Sequence, residues 1–155
     1  MKLQPILRIF IGIVLLVSGF EKLISHHQNF LYVLQAYQAF PLLPGIPSWF
    51  PSWLENFVSL SVPWIEFIVG IFLSLGLWTD FSLKGALLLF AGFIIIVGQA
   101  LLRGLPIDQC GCFGDNIHIL PQYIIVFDSF TLLAIFWLLR NLSKTKLFSL
   151  DQNFN

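Results

Sequence analysis

Long, sparsely charged runs alternate with short polar joints along this chain. Four runs stand out, at about 5–24, 57–78, 83–102 and 120–139. Each holds about twenty residues, enough at 1.5 Å per residue to cross a hydrocarbon layer roughly 30 Å thick. The pattern predicts an all-α protein, an antiparallel four-helix bundle integral to the membrane. One transmembrane domain is expected over residues 1–146, leaving 147–155 as a C-terminal tail. In the first run Gly12 and Gly19 lie close to one face, with Ser18 beside them, where small residues let a neighbouring helix approach. The second run contains Pro63, expected to interrupt its helix, and a short turn around Asp80 leads into the third.

The joints differ in character. In 25–56, Phe30, Val33, Leu34 and Tyr37 recur at i, i+3, i+4 and i+7, which predicts a short amphipathic helix over 28–40 on the membrane or the bundle mouth. Pro41, Pro44, Pro47 and Pro51 then forbid regular structure, and Trp49 and Trp53 read as interfacial anchors. The joint as a whole reads as a surface cap. The second long joint, 103–119, carries the only two cysteines of the chain.

Composition sharpens the class. The 155 residues are 57% hydrophobic and 10% charged, against about 25% charged in soluble domains. With no run of Lys and Arg and no glycine-rich phosphate loop, a nucleic-acid partner is excluded. Membrane lipid is the first partner. Lys2 and Arg8 precede the most apolar part of the first run, yet the run exceeds a signal-peptide core and no A-x-A site follows, so it is read as a retained helix. With the N-terminus cytoplasmic, Lys2, Arg8, Lys84, Arg140, Lys144 and Lys146 fall inside, and only Lys22 and Arg103 outside. Six against two is a positive-inside bias, expected of a multi-pass protein of the cytoplasmic (inner) membrane with both termini inside and joints 25–56 and 103–119 outside.

Polar residues inside the spans mark the candidate chemistry. Lys22, Glu66, Gln99, Arg103 and Asp128 all fall in the outer half of the predicted bundle. A charge at membrane depth is costly and is expected to pair and face inwards. Glu66 is expected to pair with Lys22 or Arg103, and Asp128 to lie near the same cluster. Such pairs also serve simply to hold helices in register.

Cys110 and Cys112, one residue apart around Gly111, form a plausible redox pair. Glycine relieves the backbone conflict of so small a ring, and a strained disulfide exchanges readily. An outward-facing loop suits disulfide chemistry. Arg103 would favour the thiolate, whereas Asp108 and Asp115 would oppose it. A metal site fits poorly: zinc commonly takes C-x2–4-C spacing and four ligands, and only His118 and the distant His26 and His27 could supplement the thiols.

Taken together, Arg8, Gly12, Ser18, Gly19 and Lys22; Tyr37 and Pro41; Pro63, Glu66, Gly70, Leu75 and Gly76; Arg103-Gly104; Cys110-Gly111-Cys112-Phe113-Gly114; and Asp128 resemble the MauE branch of the DoxX-like membrane proteins. The Cys-Gly-Cys-Phe-Gly loop, shaped by Gly111, Phe113 and Gly114, is the most specific part. The resemblance implies a four-helix bundle in the cytoplasmic membrane. It also implies work beside an extracytoplasmic thioredoxin-like protein or a disulfide-containing client in methylamine utilisation, with a link to quinone through DoxX relatives. It makes Cys110 and Cys112 the catalytic pair of a thiol–disulfide oxidoreductase, and Lys22, Glu66, Arg103 and Asp128 the membrane polar site. Two rivals use the same buried charges without the thiols: a small-solute transporter and a structural assembly factor.

Overall fold

The computed structural model describes residues 3–24, 31–32, 34–35, 52–104 and 121–142. Four helices run through them: α1 Leu3–Ile24, α2 Ser52–Leu75, α3 Thr79–Leu102 and α4 Pro121–Arg140. All four are long and apolar enough to cross a membrane. The residues' sidedness agrees. On α1 the outward face is Leu3, Ile6, Ile9, Phe10, Ile13, Val17, Phe20 and Ile24, while Gln4, Arg8, Ser18 and Lys22 are buried. Apolar side chains outside and polar ones inside are what a lipid solvent selects.

Three helix boundaries differ by three residues or more from the pattern-based expectation. α2 starts at Ser52 rather than near residue 57, and stops at Leu75 rather than 78, and it runs through Pro63 without interruption. Proline removes one backbone donor and crowds the preceding turn, but here the break is absorbed within a helix tightly backed by its neighbour. The stop at Leu75 has a local cause. Gly76 has φ 71° and Leu77 N–H donates to the Phe72 carbonyl at 2.8 Å, the six-to-one bond of a Schellman cap that needs a left-handed residue at this point. α3 then begins at Thr79 rather than near residue 83, so Asp80 belongs to its first turn and not to a turn before it. An acidic residue there suits the helix dipole, and Lys84 one turn on bonds it at 2.7 Å on the surface.

The helices associate as two hairpins. α1 packs chiefly on α2 and α3 on α4, with α2 against α3 and a lighter contact of α1 with α4. The α1–α2 contact is a small-residue seam. The buried residues of α1 are Gln4, Pro5, Arg8, Ile11, Gly12, Leu15, Ser18, Gly19 and Lys22, one face of the helix at spacings of three and four. Gly12 and Gly19 bring the backbones together: a methyl on Gly19 would lie 2.7 Å from the Phe67 nitrogen and 2.9 Å from the Pro63 carbonyl oxygen. From the other side, a methyl on Gly70 would lie 2.6 Å from the Leu16 nitrogen. Lipid is as apolar as leucine, so this close packing, rather than water exclusion, is what drives the association. Ile11, Leu15, Leu73, Leu83, Ala86, Phe90, Ile135 and Leu138 form the main core where the two hairpins meet.

Candidate buried polar site

The seam sets the register that brings Lys22 to Glu66. With Gly19 against Pro63 and Phe67, the turn of α2 that carries Glu66 lies beside Gly19, and Lys22, one turn further along α1, reaches it with its side chain. Lys22 Nζ is 2.8 Å from both Glu66 carboxylate oxygens and 2.9 Å from Ser18 Oγ. Three acceptors thus meet the three protons of the ammonium. Ser18, one turn before Lys22, donates in turn to Glu66 Oε2 at 3.0 Å. The side chains of Lys22 and Glu66 are 1% and 0% exposed, so the pair is fully withdrawn from solvent and lipid. The Phe93 ring of α3 lies under the ammonium, with Nζ 4.7 Å from its centroid, where the ring face attracts a cation.

Asp128 completes the cluster from α4. It is 6% exposed, and its charge is attracted by Lys22 and repelled by Glu66. Among the described residues it makes no hydrogen bond. Its carboxyl borders a cavity of about 20 Å³ that is also lined by Val14, Leu15 and Ser18 of α1, Phe90 and Phe93 of α3, and Phe127 of α4. The cavity therefore lies at the junction of the two hairpins, with Ser18 on one wall and Asp128 on another.

The remaining polar residues fall elsewhere. Arg103 caps the C-terminus of α3, ten residues beyond Phe93 and so about 15 Å further along the axis. Glu66 is paired with Lys22, the nearer of its two expected partners, and Arg103 stands apart from the carboxylate. Gln99 is half-buried, between Phe93 and Arg103. Cys110, Gly111, Cys112, Phe113 and Gly114 lie outside the described residues, as do His26, His27, His118, Trp49, the prolines of 41–51 and the tail. The described part of the first joint is helical at Leu31, Tyr32, Leu34 and Gln35. Leu34 is buried against Val58, Val62 and Ile96, about one turn beyond Phe93, and Gln35 reaches Glu55 at 3.4 Å. This segment sits in the bundle mouth, where α2 and α3 extend past the end of α1.

Three residues have surroundings that the sequence reading does not give. Ser18 bridges the ion pair, which its i, i+4 spacing from Lys22 permits but does not require. Phe93 had no sequence signal among 17 phenylalanines. Arg8 enters the sequence reading as a charge ahead of the most apolar part of the first run, and the structure buries it fully; it lies two heptads before Lys22, on the same face of α1.

Compared with known proteins, residues 1–141 match the family model described as methylamine utilisation protein MauE. No curated protein and no solved structure matches the chain.

Proposed function

Starting from the fact that this chain belongs to the MauE family of methylamine utilisation proteins, we propose that it is a membrane thiol–disulfide exchange protein, with Cys110 and Cys112 as the exchanging pair. The observation that carries this reading is one of placement. The joint bearing both cysteines connects the end of α3 to the start of α4, and the buried Lys22–Ser18–Glu66–Asp128 cluster lies towards that same end of the bundle. Phe93 on α3 and Asp128 on α4 tie the two helices that carry the loop to the rigid α1–α2 hairpin. The cluster therefore joins the two helices that the cysteine-bearing joint connects to the rest of the bundle.

The excess of basic residues at the opposite end supports an outward-facing thiol loop by the positive-inside rule, on the side where disulfides persist. In the exchange, one cysteine thiolate attacks a disulfide of a thioredoxin-like partner or secreted client and forms a mixed disulfide. The other cysteine attacks that bond and releases the partner's second thiol. The partner's disulfide is reduced to two thiols as Cys110 and Cys112 become joined, and the reverse sequence oxidises a partner dithiol. The resemblance to DoxX-like proteins implies a quinone as the final electron acceptor.

The test is to label free thiols in intact cells with a membrane-impermeant alkylating reagent, before and after mild reduction. The expected result is a pair that resists labelling at rest and accepts two labels after reduction. A Cys112→Ser variant should then trap a second protein through Cys110. Free thiols that react with neither reagent nor partner, or that are reached only from the cytoplasm, overturn the reading and leave the buried carboxylates as the site of a transporter.

A further inference from the structure

The cluster at the hairpin junction carries more negative than positive charge. Among the described residues that meet there, Lys22 of α1 is the cation, and Glu66 of α2 and Asp128 of α4 are the carboxylates. α3 contributes Phe90 and Phe93, both uncharged. Glu66 holds Lys22 directly, with Nζ 2.8 Å from both of its oxygens, so that pair balances itself and Asp128 is left over. A buried carboxylate is costly unless a cation or a hydrogen-bond donor compensates it. Asp128 is more than nine-tenths buried, and no hydrogen bond or ion pair reaches it among the described residues.

The cavity that Asp128 borders, of about 20 Å³, is partly open rather than sealed. A water-sized group needs about 10–15 Å³ on this measure, so the space suits a group of that size. Its polar lining is sparse. Ser18 shares the wall, but its hydroxyl is committed to Lys22, to Glu66 and to a further interaction. Asp128 is therefore the acceptor that the cavity offers, and Val14, Leu15, Phe90, Phe93 and Phe127 make up the rest. Glu21 follows Val14 by seven residues and so shares its face of α1. Its Oε2 is buried without a hydrogen bond, which makes this face more negative still.

One carboxylate among phenyl rings selects a particular kind of cation. A bare metal ion fits poorly, because it needs several oxygens to replace its water shell. An ammonium needs few acceptors, bonds strongly to a carboxylate and is attracted by the face of a phenyl ring. The junction already shows this contact once, where the Lys22 ammonium lies 4.7 Å from the Phe93 centroid.

We propose that the cavity is a binding site for a small ammonium cation, held by the Asp128 carboxylate and walled by Phe90 and Phe127 beside Phe93. The bound cation neutralises the charge that Lys22 leaves unbalanced. Cations much larger than water are refused by the size of the space. No cysteine takes part, so the site stands or falls separately from the exchange reaction.

Thermal unfolding of the purified full chain in detergent at neutral pH tests this, because a ligand that binds the folded state raises the melting temperature in a saturable way. Ammonium chloride is compared with sodium chloride and tetramethylammonium chloride at equal ionic strength. The expected result is a saturable rise with ammonium alone. Asp128→Asn should lose the rise. Phe127→Leu, which keeps an apolar wall but removes a ring, should raise the half-saturating ammonium concentration about two- to thirty-fold, the range of one cation–ring contact. A wild-type protein that ignores ammonium, or that answers all three salts alike, overturns the proposal whether or not the variants fold. A rise that survives in Asp128→Asn, or a half-saturating concentration unchanged in Phe127→Leu, overturns it as well.

Discussion

Lys22 and Glu66 are 44 positions apart in the chain, and the ammonium of one lies 2.8 Å from both oxygens of the other. The two helices that carry them touch through Gly12, Gly19 and Gly70, so the ion pair and the glycine seam are parts of one contact. Removing one partner of a buried pair is far more damaging than removing both, because a lone charge keeps its desolvation cost without its compensation. Lys22→Met is therefore expected to destabilise the bundle by about 3–5 kcal/mol, and Lys22→Met with Glu66→Met to recover most of that loss. Unfolding of the purified protein in detergent by heat or by denaturing surfactant measures both. A single variant as stable as the wild type would remove the pair from the account of stability.

The seam makes a separate prediction about glycines. A methyl on Gly19 meets the Phe67 and Pro63 backbone within 3 Å, and backbone cannot rotate away, so Gly19→Ala should cost about 1–3 kcal/mol. Gly92 sits in α3 with nothing within 4 Å of such a methyl. Gly92→Ala should be neutral or stabilising by up to about 1 kcal/mol, because alanine is the better helix former. By circular dichroism the melting temperature should fall in Gly19→Ala and hold level or rise in Gly92→Ala.

The two ion pairs should answer differently to salt. Asp80 and Lys84 are substantially exposed, and an exposed i, i+4 pair contributes less than about 1 kcal/mol. Asp80→Asn should therefore shift the melting temperature slightly, and less as ionic strength rises. The effect of Lys22→Met should be the same at low and high salt, since no counterion reaches the buried pair. Equal salt sensitivity in the two variants would contradict the burial of Lys22.

Thiol chemistry and membrane packing are separable by mutation. Cys110→Ser and Cys112→Ser are expected to abolish disulfide exchange with a partner while leaving the melting temperature unchanged, since the seam and core that hold the bundle lie elsewhere. Glu66→Gln keeps the shape of the side chain and is expected to lower stability first, with exchange lost only as the fold is lost. A solute-uptake assay that fails in Glu66→Gln at full folded yield, and survives both cysteine changes, would favour the transporter.

Much of this was legible in the chain because it depends on local quantities. Twenty apolar residues in a row cross a bilayer whatever follows them, so four spans could be counted in advance. Gly12 and Gly19, seven apart, marked a face of close approach. Glu66 inside a span had to find a cation, and Lys22 was one of two candidates. The boundaries of α2 and α3 were less legible. A Schellman cap at Gly76 and a helical first turn around Asp80 look, in the chain, like one longer polar joint.

What the sequence by itself determined is the number of spans, their inverted polarity, and the set of polar residues that must face one another. Those follow from transfer free energies, which add along the chain residue by residue. Only the tertiary structure decided that Lys22 rather than Arg103 holds Glu66, that Ser18 stands between them, that Phe93 supports the ammonium, and that Asp128 borders a cavity. Those depend on how far one helix slides past the next. That register is set by backbone approach at Gly12, Gly19 and Gly70, a contact between residues distant in the chain that no local pattern encodes.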